Sequence, residues 1–153
     1  MRGPAVREGE VSLTGRTIKP VEVVAGVIFR GGRVLVARRA RGELSGKWEF
    51  PGGKVEPGEE PRASLRRELQ EELSINVSVG PMVCTYRFDY PGFPIVLNVF
   101  LCTRWEGAPK AGDDHSELVW VSPRELEAVD LADADRKAAE RVMQLFVERK
   151  LLV

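Results

Sequence analysis

The chain has 153 residues, 23 basic side chains against 23 acidic ones and a single histidine, so its formal charge at neutral pH is zero. That length fits one domain with a core of its own, and the balanced charge removes the electrostatic case for generic nucleic-acid or membrane-surface binding. An anionic ligand must therefore be held by a local group of side chains.

The opening residues contain no apolar signal core and no later run is long enough to cross a bilayer, so the expectation is a soluble, cytoplasmic protein, monomeric or homodimeric. Cys84 and Cys102 sit in apolar, strand-like runs without C-x-x-C spacing and read as buried free thiols.

Residues 1–20 mix glycine, proline and charge and read as a weakly ordered arm or an edge strand, leaving 21–153 as the folded domain. "VEVVAGVIFR" and "RVLVARR" are β-branched runs around Gly31-Gly32, which predicts a hairpin. A Gly/Pro-rich loop from Pro51 leads to Pro61, a good first-turn residue for a helix ending near Leu73. Strands are expected at Met82–Phe88 and Pro94–Arg104 around "YPGFP", and again at "ELVWVS". Ser122-Pro123 caps a short helical segment, and an amphipathic helix from about Ala134 to Leu151 closes the chain. This order predicts a mixed α/β sandwich, helices on the faces of a mixed sheet.

The segment Pro61–Leu73 carries the chemistry. On a wheel of roughly 100° per residue with Leu65 at zero, Leu69 and Leu73 fall near 40° and 80° and form the buried stripe. Glu72 then lies near −20°, Glu68 near −60° and Glu71 near −120°. A solvated acidic face normally points away from the apolar stripe, whereas this one borders it. Like charges three and four residues apart repel by a few tenths of a kcal/mol in water and by more where the dielectric falls. Arg66 and Arg67 point to about 100° and 200°, largely away from the carboxylates, so a divalent cation is the better counter-charge. An all-oxygen donor set selects a hard ion such as Mg2+ or Mn2+, which commonly takes substrate phosphates as further ligands. The preceding loop agrees: Gly52-Gly53 permits close backbone approach, the Gly52 carbonyl can join the metal shell, and Lys54 offers a charge to a phosphate.

"GKVEPGEEPRASLRRELQEELSI", Gly53 to Ile75, resembles the Nudix box, G-x5-E-x7-R-E-U-x-E-E-x-G-U with U apolar, at every defined position but one. Ser74 stands where the box has its second glycine, a substitution that costs about 1 kcal/mol if the backbone there is left-handed and removes no ligand. "VARRA", "KWEFPGGKVE", "YRFDYPGFPI" and "RWEGAP" extend the likeness to the MutT-like branch of the family, from about Val21 onward.

The resemblance implies an α/β/α sandwich with the catalytic helix packed on the sheet, and metal-dependent cleavage of a nucleoside triphosphate to a monophosphate and pyrophosphate. Glu68, Glu71 and Glu72 would hold the metals with the Gly52 carbonyl, and Glu68 or a neighbour would orient or deprotonate water. Arg67 would pair with Glu59 or a box glutamate. It further implies a phosphate contact for Arg38, a base-edge contact for Asp133, and an additional metal acid from the loop "GDDHSEL", either Asp113 or Glu117. Against these stand plain structural roles: Asp133 or Asp135 as helix N-cap, His115 and Arg39 solvated, Trp48 as core. Phe50 is a candidate to pack against a base. The alternative readings are hydrolysis of ADP-ribose or another nucleoside diphosphate sugar, a non-catalytic nucleotide-binding module, and an acidic helix that is merely exposed.

Overall fold

The computed structural model describes residues 11–13 and 16–148. Val11–Leu13 (β1) and Arg16–Ile18 (β2) pair as a short antiparallel ribbon of their own, and neither of these two strands joins the main sheet; residues 1–10 lie outside the described part, as does the expected helix end at Leu151. The remaining elements are Val21–Arg30 (β3), Arg33–Arg39 (β4), Trp48–Glu49 (β5), Gly52–Lys54 (β6), Pro61–Leu73 (α1), Asn76–Ser78 (β7), Met82–Tyr90 (β8), Phe93–Cys102 (β9), Arg104–Glu106 (β10), His115–Val121 (β11) and Asp133–Val147 (α2). The Arg124–Ala128 segment is a 3-10 turn, closed by a reciprocal pair of bonds: Glu125 N–H donates to Ser122 Oγ and Ser122 N–H to Glu125 Oε1.

β11, β4, β3, β9 and β8 form a mixed sheet in that order, β3 and β9 running parallel and the other neighbours antiparallel, with β5 joined to β4 and β6 to β3. Strand alternation sends successive β3 side chains to opposite faces. Val24 and Ile28 join Leu35, Phe100, Leu65, Leu69 and Leu73 under α1, while Ala25, Val27 and Phe29 join Val34, Val36, Ala138 and Val142 under α2. The architecture is the expected sandwich of helices on both faces of a mixed sheet. The stripe Leu65, Leu69, Leu73 is fully buried, each side chain contributing about 1.5–3 kcal/mol by removal from water.

Three strands, β6, β7 and β10, carry no periodic signal in the sequence because each has only three residues. One of them matters: Gly52–Lys54, expected as loop, pairs with Val23–Ala25 of β3. A side chain at Gly52 would drive into the Val24 carbonyl and Cα of Ala25, so glycine is required for this strand to reach β3 at all. β4 pairs with β3 only at Phe29 and Arg30, beyond which β6 takes its place at Val23–Ala25, and a cleft opens where β4–β5 and β3–β6 part.

Ser74 ends α1 with φ 60° and ψ 35°, the left-handed conformation that glycine adopts without strain. Ser74→Gly is expected to stabilise the protein by roughly 1 kcal/mol, a rise of about 2–4 °C in Tm. A thermal melt of the two proteins checks it, and an unchanged or lower Tm would show that the cap carries no strain.

Candidate active site

The cleft has a volume of about 820 Å3, within the range of small-molecule sites. Its two ends differ in chemistry. Glu68, Glu72, Gly53 and Lys54 line one, Phe50, Tyr90, Phe93, Leu97 and Asp135 the other, and Glu49, Arg39, Arg41 and Asp114 lie on its walls as well.

At the acidic end the depths follow the helical wheel. Glu71 is exposed, Glu68 keeps 14% of its side chain exposed, and Glu72 is deepest, with an Oε2 that has no hydrogen-bond partner among the described residues. Burial, reinforced by the charges of Glu68, Glu49 and Asp114, pushes the Glu72 carboxyl up to about 9. Burial also raises Glu68, against the pull of Arg67. Beneath them, a Cβ on Gly53 would collide with the Glu68 carboxylate, so the second glycine of the pair lets a carboxyl group sit on the β6 backbone.

The wheel misplaced Arg67. Its long side chain curls back, Nε and Nη2 gripping Glu59 at 2.8 and 3.0 Å and Nη1 reaching Glu68 at 3.1 Å and Glu71 at 3.3 Å, while Nη2 also donates to the Lys54 carbonyl. These bonds hold the Glu59 carboxyl down at about 2. Arg67 thus supplies the internal counter-charge for the outer acids, but not for Glu72. A buried, unpaired carboxyl oxygen beside a second half-buried acid, with only oxygen donors around it, fits a hard divalent ion.

Several expectations about neighbouring residues are corrected. Arg38 is exposed outside the cleft, its Nε bonded to the Gly46 carbonyl; Arg39 lines the cleft instead. Alternation explains it: Arg39 shares parity with Leu35 on the α1 face, Arg38 with Val34 and Val36 on the α2 face. Asp133 is exposed, and its carboxylate makes no cap; Asp135 is 8% exposed, accepts the Phe50 N–H at 2.9 Å and lines the cleft. Asp113, Asp114 and Glu117 are all exposed, but of the three only Asp114 lines the cleft, paired with Arg41 at 2.7 Å and close enough to Glu72 to raise it. His115, expected in solvent, is buried with Nε2 2.8 Å from Glu49 Oε2. Phe50 is 2% exposed and forms floor. The aromatic wall is Tyr90 stacked on Phe93, centroids 4.9 Å apart, which the sequence reading had not assembled.

Comparison with known proteins agrees with this geometry. The NUDIX domain profile matches residues 19–146. The chain belongs to the Nudix family. It is 41% identical over 133 residues to the CTP pyrophosphohydrolase of Escherichia coli K12, covering 86% of this chain and 98% of that one. It is 32% identical to the 8-oxo-dGTP diphosphatase of the same organism, covering 84% of this chain and all of that one. The solution structure of the E. coli ORF135 protein superposes with a TM-score of 0.78 at 40% identity, covering 88% of this chain and 96% of that one. The Nudix helix is therefore α1, and the chain is a Nudix hydrolase. Among the described residues no helix is long and apolar enough to cross a membrane, and both cysteines are free, Cys102 buried and Cys84 half-buried.

Asp135 gives a pH signature. Burial, together with the Glu49 charge, pushes its carboxyl to about 8, above the unfolded value of about 4. Folding therefore binds a proton that the unfolded chain has lost: the stabilisation is full below about pH 4 and is lost as pH rises through about 8. Asp135→Asn keeps the acceptor for Phe50 N–H and removes the ionisation. Urea midpoints should place the variant higher relative to wild type at pH 9 than at pH 5; an equal difference at both would contradict the assignment.

Proposed function

We infer that this Nudix hydrolase cleaves a nucleoside triphosphate to a nucleoside monophosphate and pyrophosphate, using Mg2+ or Mn2+. The observation that carries the reading is the cleft itself, which joins an acidic cluster, in which Glu72 Oε2 has no partner among the described residues, to an aromatic wall over a volume of nucleotide size. The relatives named as acting on CTP and on 8-oxo-dGTP support a triphosphate substrate.

Glu68 and Glu72 would hold the metal ions with the Gly52 carbonyl, Glu71 would join from the exposed edge, and Asp114, which lines the cleft, would supply the further acid in place of Asp113 or Glu117. Bound there, a divalent ion offsets phosphate charge and makes water a stronger nucleophile at neutral pH. Lys54 and Arg39 bind phosphate oxygens, Arg39 as a planar fork. Arg67 and Glu59 fix the outer carboxylates, so that the box acids keep one arrangement as substrate enters. The base enters between Phe50, Tyr90 and Phe93. Asp135 reads its edge, and a carboxyl raised to about 8 both donates and accepts a hydrogen bond at neutral pH. Water attacks one of the two phosphorus atoms that share the α–β bridging oxygen, that P–O bond breaks, the monophosphate and pyrophosphate separate, and the water proton passes to Glu68 or a neighbouring acid.

Two experiments test this. Products from CTP, the dNTPs, 8-oxo-dGTP and ADP-ribose should be monophosphate and pyrophosphate from at least one triphosphate; turnover of sugar nucleotides alone would overturn the triphosphate reading, and binding without product at any Mg2+ or Mn2+ concentration would make the protein a binding module. Glu72→Gln, nearly isosteric, should lower kcat by at least about 100-fold while leaving the fold intact by circular dichroism. Full activity in that variant would leave the carboxylate without the assigned role.

A further inference from the structure

The imidazole of His115 is odd in its place. Its side chain is 1% exposed, and Nδ1 is buried without a hydrogen-bond partner among the described residues. An apolar residue would fill the same volume without the desolvation cost of a buried, unpaired polar group. What the imidazole does supply is the Nε2–H, which donates to Glu49 Oε2 at 2.8 Å. Glu49 uses its other oxygen, Oε1, to accept from Arg39 Nη1 at 2.9 Å. Arg39 Nε is in turn tied to the Glu43 carbonyl at 3.0 Å, leaving Nη2 as the end of the guanidinium without a hydrogen bond among the described residues.

The three residues come from different strands. His115 begins β11, Arg39 ends β4 directly opposite it in register, and Glu49 lies on β5, paired with Ala37 of β4. They meet where β4 and β5 form one wall of the cleft, and Glu49 and Arg39 both line it. We propose that His115 is a positioning residue: through Glu49 it sets the guanidinium of Arg39 at the angle that receives the substrate's phosphates. Without the Nε2 bond, Glu49 is free to rotate, and Arg39 loses the partner that fixes its plane. The inference rests on the assignment of Arg39 to phosphate binding given above. It predicts an effect on substrate affinity rather than on the chemical step, since neither His115 nor Glu49 is assigned to the attacking water.

Glutamine and asparagine at position 115 separate the two explanations. An amide nitrogen on Gln reaches the place of Nε2, whereas that of Asn stops near the place of Nδ1, so both are polar but only one restores the bond to Glu49. Steady-state kinetics with the triphosphate that wild type turns over fastest should show His115→Gln within about twofold of wild type in KM, and His115→Asn raised roughly tenfold with kcat nearly unchanged, the size expected for losing a charge-assisted hydrogen bond. Arg39→Ala should raise KM at least as much, and the double variant His115→Asn/Arg39→Ala should be no worse than Arg39→Ala alone. Equal KM in the Gln and Asn variants, a loss confined to kcat, or effects that multiply in the double variant would each overturn the proposal. Wild-type turnover and an Arg39→Ala arm that itself raises KM are the controls that keep failure of the functional reading apart from failure of this one.

Discussion

The cleft depends on one close approach, that of the Glu68 carboxylate to a backbone with no side chain at Gly53. It is possible only because Gly52 lets β6 lie against Val24 and Ala25 of β3, and because Leu65, Leu69 and Leu73 press α1 onto the same face of the sheet. The leucine stripe fixes the rotation of the helix, and that rotation decides how deep each glutamate lies. Glu71 ends in solvent, Glu68 at the boundary and Glu72 beneath it. Arg67 neutralises the outer pair and stops short of the inner one. A carboxyl left in that position is raised to about 9 by burial and by its acidic neighbours, a cost the fold tolerates where a cation can enter.

The sheet provides the second half of the site by the same kind of constraint. β4 abandons β3 after two paired residues, and the gap is walled by β5 on one side and β6 on the other. Glu49 stands in this gap, bonded to Arg39 and His115, and its charge contributes to raising both Glu72 and Asp135. It therefore links the acidic end of the cleft to the aromatic one. Both ends respond to a residue that no box motif includes.

What could be read in the sequence was local. Periodicity along Pro61–Leu73 gave the helix, the buried stripe and the order of depth of the glutamates, and the spacing from Gly53 to Ile75 carried the family. The misses share a cause. Choosing Arg39 over Arg38 requires knowing which face of β4 looks toward α1, a fact of the assembled sheet. Choosing Asp135 over Asp133 requires the position of the Phe50 N–H, 85 residues away in the chain. His115 reads as polar loop because its burial comes from β4 and β5, Asp114 reads so because the cleft that its exposed carboxylate lines exists only in the assembled sheet, and the wheel misplaces Arg67 because it treats a long, flexible side chain as a point, although the box implies the pairing with Glu59 that is found. Aromatic spacing at Tyr90 and Phe93 was visible, but only the β8–β9 turn stacks the two rings.

The central claim is that Glu68 and Glu72 are crowded together to share a divalent ion. The most direct measurement is anomalous scattering from a crystal grown with Mn2+ and a non-hydrolysable triphosphate analogue. The account predicts a manganese peak coordinated by Glu72 and Glu68, with the phosphates completing its shell. Manganese bound elsewhere, with the Glu72 carboxyl still buried and uncoordinated, would contradict it.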